Sequence, residues 1–252
     1  MGVEPARRAS VLRSRAILVG TVVALRRYPV KSMRAEALDR AELHPTGLAG
    51  DRQYAFVKDA GPPHFPWLTG RDIPALVLHE ARYLDAGDPD RSPVLVRTPS
   101  GETFALDDPA LAARFSAAVG DGVRLRRPDG GAFDDKPVSV LTTALADRLA
   151  RAHGAAVVPG RFRANVLIET LPGAPPEAEW AGAGLVFGDG AARVRAQGPI
   201  RRCAMVTLDP DTAAKDPAVL RTVARRFGNE AGVYCTVERP GAVAVGDAVR
   251  LV

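Results

Sequence analysis

Apolar positions along the chain fall mostly in short runs with an alternating in–out pattern, bounded by Gly and Pro. This predicts strands near residues 21–25, 37–43, 53–58, 76–83, 94–98 and 103–106, with Pro99-Ser100-Gly101 turning the last pair. Further strands are expected at 166–168, 233–238, 243–245 and 249–252. Three segments carry helical spacing instead. Asp108 can cap the first, Pro109 opens it, and Leu111, Phe115 and Val119 share a face before Gly120. The second runs from about Thr142 to His153 with Leu141, Leu145 and Leu149 four apart, and stops at Gly154. The third begins at Asp216-Pro217, turns Leu220, Val223 and Phe227 inward, and ends at Gly228. No βαβ alternation and no glycine-rich phosphate loop is visible, so a Rossmann or P-loop architecture is not expected. Short strands with few helices predict a β-barrel or strongly bent sheets with helices outside. Residues 171–182 read as a surface loop, and 125–136 as the best boundary between halves.

Composition narrows the class. The chain has 252 residues, 46% apolar and 25% charged, an ordinary globular profile. Its net charge of +5 comes almost wholly from arginine, the lysines being Lys31, Lys58, Lys136 and Lys215. The arginines are scattered among acids rather than gathered in a stripe, so no nucleic-acid partner is expected. The apolar run 16–25 is too short to span a bilayer, which takes ~20 residues, and is β-branched. No membrane association is expected, and residues 1–17 read as a loose tail. Two cysteines, Cys203 and Cys235, are too few for a secreted disulfide scaffold, and a reduced cytoplasm is the simpler setting. The four histidines match no zinc spacing, and no G-x-S-x-G elbow occurs.

Four clusters carry chemistry. In Tyr28-Pro29-Val30-Lys31-Ser32 a lysine and a hydroxyl follow a proline-fixed bend, a pairing suited to a phosphate or to a plain surface loop. Gly47-Leu48-Ala49-Gly50-Asp51-Arg52 turns sharply and delivers Arg52 to a strand start. In Arg161-Phe162-Arg163-Ala164-Asn165 an extended chain would put Arg161, Arg163 and Asn165 on one side, an anion-seeking face or a solvated edge. In Arg201-Arg202-Cys203-Ala204-Met205-Val206 two cations precede a thiol and a β-like run follows it. Positive charge favours the thiolate as ligand or nucleophile, whereas a free cysteine is most often a small core residue, and local chemistry leaves both open. Cys235, in an alternating run without adjacent charge, reads as core.

Together and in this order these stretches resemble the MOSC proteins, named for the C-terminal domain of molybdenum cofactor sulfurase, and most of all the mitochondrial amidoxime reducing component and its bacterial relatives. The matching segments are YPVKS at 28–32, GLAGDR at 47–52, TGRDIPAL at 69–76, FRANV at 162–166, RCAMVTLDPDT at 202–212 and ERPGAVAVGDAVRL at 238–251. The resemblance implies a mixed, β-rich, barrel-like MOSC fold, with an N-terminal β-rich domain over 18–124, a MOSC domain over 125–252 and a few flanking helices. It implies a molybdenum cofactor, a phosphorylated pterin whose dithiolene holds the metal. Lys31, Ser32, Arg52, Arg71, Arg163, Asn165 and Arg202 would contact it, with Cys203 as metal ligand and Asp209 near the metal. The implied reaction is reduction of a small N-hydroxylated substrate. Sulfur transfer through a Cys203 persulfide, or plain carriage of the cofactor, is the alternative. Ala164 departs from the family's proline, and Asp134–Ser139 replaces its small hydroxyl residues, leaving Ser139 and Thr142 as contacts there. The chain shows no iron–sulfur cysteine cluster and no anchor, so a separate electron-donor protein of ferredoxin or cytochrome type, with its reductase, is expected.

Overall fold

The computed structural model describes residues 16–252. Most of the tail expected over 1–17 lies outside the described residues, and Ile17 already opens the first strand. The first half contains β1 (Ile17–Arg27), β2 (Glu36–Leu38), β3 (Arg40–His44), β4 (Gly47–Leu48) and β5 (Ala55–Lys58). It continues with β6 (Glu80–Tyr83), β7 (Val94–Arg97), β8 (Thr103–Ala105), helix α1 (Pro109–Val119) and β9 (Val123–Arg126). β6, β7 and β8 form a meander, and β5 pairs with β9. The expected division at 124/125 therefore cuts through β9, whose pairing keeps it with the first half. Phe56, Val96, Leu111 and Phe115 fill the core between these sheets and α1. Asp108 caps α1 by accepting from the Ala110 N–H at 2.8 Å, and Gly120 ends it in the left-handed region (φ 67°).

The strand expected over 76–83 is corrected. Pro74 starts a 3-10 turn over Pro74–Leu78, Leu76 and Val77 are buried in succession rather than alternately, and pairing begins only at Glu80.

The second half builds the barrel. Its elements are β10 (Val138–Thr142), α2 (Thr143–His153), β11 (Val166–Thr170), β12 (Gly184–Phe187), β13 (Ala192–Arg201), α3 (Pro217–Arg226), β14 (Glu230–Arg239), β15 (Gly241–Ala244) and β16 (Ala248–Leu251). The order β1-β11-β10-β14-β13-β12-β16 closes back on β1, giving a seven-stranded barrel with β2 as an extra edge. Inside lie Val19, Val140, Ile168, Phe187 and Val233. β10 and β11 are parallel with α2 between them, so one βαβ unit exists where none was expected. All five residues of β10 are buried, which erases the period of two that would have separated it from α2. α2 and α3 pack on the outside over Leu145, Leu149, Val219 and Val223. Leu220 and Phe227, expected to turn inward, are only half-buried, while Val219 takes the inner position. Among the described residues no helix is long and apolar enough to cross a membrane.

The segment 171–182 is more than a surface loop. Trp180 is fully buried and donates its Nε1–H to Pro175 O at 3.0 Å. Glu177 is buried too and accepts from Thr142 Oγ1 at 2.6 Å, while its Oε1 has no partner among the described residues. Burial pushes the Glu177 carboxyl above the usual range, with the Thr142 hydrogen bond opposing. The native state therefore prefers the protonated acid. Stability from this group is full below the ordinary carboxyl pKa of about 4.3 and is lost as pH rises through the higher folded value. Glu177→Gln is expected to raise the unfolding temperature at pH 8, with the gain fading towards pH 4. Thermal melts at the two pH values test this, and equal shifts at both would contradict it.

Candidate functional site

A cleft of about 270 Å³ lies between the first half and the barrel. Lys31, Ser32 and Arg52 reach it from the first half, and Ser139, Arg163 and Cys203 from the second. Its wall holds eight cations, adding Arg71, Lys136, Arg161, Arg201 and Arg202 to Lys31, Arg52 and Arg163. Among the described residues Asp134 is the one carboxylate lining it.

Local backbone geometry aims these groups. Ser32 (φ 67°), Arg52 (φ 50°) and Arg163 (φ 53°) are left-handed, and all three line the cleft. For non-glycine residues that conformation costs on the order of 1 kcal/mol each, a strain characteristic of functional sites. Arg163 follows the 3-10 turn Pro159–Phe162, so the extended arrangement expected over 161–165 does not form. The turn sends Arg161 and Arg163 into the cleft, while Asn165 faces the barrel wall.

Tyr28 organises the arginines. Over its buried ring lie the guanidinium groups of Arg163 at 4.2 Å and Arg52 at 4.7 Å. Arg52 is fixed further by the Asp51 carboxylate and by donating to Arg163 O at 3.0 Å. Burial pulls the Arg163 guanidinium down to about 10, and its Nη2 is buried with no partner among the described residues. Arg161 Nε is likewise unpartnered. Buried cationic donors left open cost stability, and an anion entering the cleft would satisfy them.

Lys31 is 7% exposed and donates to Ala132 O at 2.7 Å and Asp134 Oδ1 at 2.6 Å. Burial lowers its pKa, with Asp134 opposing. Burial alone would raise the Asp134 carboxyl, yet the Lys31 ammonium holds it below the usual range. Asp134 thus pairs with a cation that an anion entering the cleft would otherwise meet. Asp134→Asn is expected to tighten inorganic phosphate binding by about fivefold, the Coulomb energy of one partly screened charge. Titration calorimetry measures it, and weaker binding in the variant would contradict this role.

At the cleft rim Cys203 is exposed and carries a free thiol. The run after it is a 3-10 turn, Ala204–Thr207, not the expected strand. Arg202 is locked beside it, donating to Ala231 O at 2.7 Å and Phe162 O at 2.9 Å. Burial lowers Arg202 to about 10, against the opposing pull of Tyr234 and Cys203. Arg71 is exposed and stacks over Phe65 at 4.8 Å. Cys235 is fully buried in the barrel core, and burial raises its thiol pKa.

Three expected contacts do not line the cleft. Asn165 is spent on structure: its Oδ1 accepts from Ser139 N and Oγ at 3.0 and 2.8 Å, and its Nδ2 donates to Arg26 O at 3.2 Å. Thr142 caps α2 by accepting from Leu145 N–H and is turned to Glu177. Asp209 accepts from Arg161 Nη2 at 3.0 Å and from the N–H groups of Asp211 and Thr212, so it acts through Arg161. Tyr28, Lys136 and Asp134 were not singled out from sequence. Tyr28 opens the first cluster, and its place next to the proline-fixed bend at Pro29 is the signal that points to it.

The class defined by these features is a closed β-barrel protein with a cationic, thiol-bearing cleft. Residues 119–250 match the MOSC domain and residues 19–138 the MOSC N-terminal beta barrel domain, and the chain belongs to the MOSC family. No curated protein matches it. The YUAD protein from Bacillus subtilis shares the fold with TM-score 0.52 at 16% identity, over 94% of this chain and 97% of that one. YiiM from Geobacillus stearothermophilus overlays with TM-score 0.37 at 19% identity, over 47% of this chain and 55% of that one.

Proposed function

We propose that the cleft binds a molybdenum cofactor and that the protein reduces small N-hydroxylated compounds, with the Cys203 thiolate as metal ligand. The observation that carries this reading is an exposed thiol on the rim of a cationic cleft whose buried Arg163 Nη2 has no partner among the described residues. The residues fit such a group. Lys31, Arg52 and Arg163 suit its phosphate, Ser32 offers a hydroxyl to the pterin, and a soft thiolate suits a metal held by sulfur.

When bound, the cofactor supplies two-electron chemistry, with electrons delivered by a separate ferredoxin- or cytochrome-type donor. The protein's share is to neutralise the phosphate, orient the pterin through the Tyr28-braced arginines and leave the Cys203 side open to substrate. Asp209 and Arg202 are positioning residues in this reading, Asp209 by holding Arg161. The exposure of Cys203 also suits a second reading, a persulfide carrier that delivers sulfur.

Protein made in a cofactor-competent host separates the two. Near-stoichiometric molybdenum and pterin, with turnover of an amidoxime by reduced viologen, is expected. Metal-free protein carrying cyanolysable sulfur would instead select sulfur transfer.

A further inference from the structure

Beside the cleft lies a second depression, on the far side of Cys203, between the 3-10 turn Ala204–Thr207 and α3. Ala204, Leu208, Pro217, Leu220 and Ala224 give it an apolar floor. The wall at Gly70 is packed tightly, since a Cβ there would meet Leu208 Cδ1 at 2.8 Å and Met205 Cε at 3.0 Å. Three cations stand at the rim, Arg71, Lys215 and Arg221, and no acidic side chain lines the groove among the described residues. None of the three forms an ion pair among the described residues, and all are exposed.

The groove adjoins the cleft. Arg71 lines both, and Ala204 follows Cys203 directly in the chain. A molecule whose reacting end sits at Cys203 therefore has a ready place for its body. We infer that this groove is the subsite for the body of the substrate, and that it selects small amphipathic molecules with an aryl or alkyl body and a carboxylate. The apolar floor takes the body and the three rim cations take the acid. As a substrate subsite the inference rests on the function proposed above, but occupancy of the groove can be measured without turnover.

Calorimetry on the full-length protein provides that measurement, with 4-phenylbutyrate as probe and 4-phenylbutylamine as its charge-reversed match. The acid is expected to bind about tenfold more tightly than the amine. Ala224→Trp fills the groove from an exposed helix position, where it leaves the fold undisturbed, and should weaken the acid by about tenfold or more. The double variant Lys215→Glu with Arg221→Glu should keep affinity for the body and invert the preference for the acid. Circular dichroism of each variant guards against misfolding. Equal affinity for acid and amine overturns the inference, as does undiminished binding to Ala224→Trp. Indifference to phenylbutyrate combined with protection of this face by an acidic donor protein also overturns it, making the groove a docking surface. A kinetic arm then asks whether phenylbutyrate competes with an aryl amidoxime in the wild type and not in Ala224→Trp. A protein without N-reductive activity defeats the proposed function, while the calorimetric result still decides the groove.

Discussion

Cys203→Ala is expected to lose molybdenum retention and to lower N-reductive turnover by more than about 100-fold, while leaving the fold intact. The direction follows from position. The thiol is exposed on the cleft rim, outside all three core clusters, so its removal should change stability by no more than about 0.5 kcal/mol. Its loss leaves the cationic wall in place, so weak anion binding should survive while the metal is lost. Cys203→Ser should not rescue, because a hydroxyl is a poor ligand for a thiophilic centre. Cys235→Ala is the matched control. It sits in the barrel core, so it should cost about 1 kcal/mol of stability and leave metal content unchanged. Metal analysis and denaturant melts of the three variants separate these effects. Full molybdenum and full activity in Cys203→Ala would end the proposal.

Gly20→Ala is expected to destabilise the protein by about 3 kcal/mol or more. Gly20 lies in β1, paired with Thr170 of β11 on one side and Val249 of β16 on the other. A Cβ there would come within 2.1 Å of Glu169 O and 2.9 Å of Thr170 Cα. Both atoms belong to the backbone of β11, so no rotamer change relieves the clash. The β1–β11 pairing is the seam that closes the barrel, and along it Arg26 N–H donates to Asn165 O at 2.8 Å, two residues from Arg163. Opening the seam should therefore weaken anion binding as well as stability. Urea unfolding measures the first effect, and a loss under about 1 kcal/mol would show that the strands can part cheaply.

The helices were legible because local signals specify them. Asp108, Thr142 and Asp216 each cap a helix with a side-chain oxygen, and the apolar spacing of α1 and α2 matches the buried faces. The closing strands β14 to β16 were legible for the same reason, since Pro240-Gly241 and Gly246-Asp247 bracket them. β12 and β13 were not. In β13 two of the inward residues, Ala192 and Ala196, are weak strand formers, and the Gly198-Pro199 pair imitates a turn. Trp180 was hidden by the proline- and glycine-rich run before it, which says nothing about what the loop covers.

The site divides in the same way. Lys31, Ser32, Arg52, Arg163 and Cys203 do come together around one cleft although they are far apart in sequence. Asn165 aims elsewhere because a left-handed Arg163 breaks the alternation assumed for an extended chain, and Thr142 does so because it caps α2 and bonds Glu177. Direction depends on backbone conformation, and residue type alone carries little of it. The opposition of Lys31 and Asp134, 103 positions apart, arises only once the chain is folded.

The central claim is a bond between Cys203 sulfur and molybdenum. X-ray absorption at the molybdenum edge of the cofactor-loaded wild type tests it most directly. The proposal predicts one sulfur neighbour beyond those of the dithiolene. A sulfur shell made up of the dithiolene alone would contradict it.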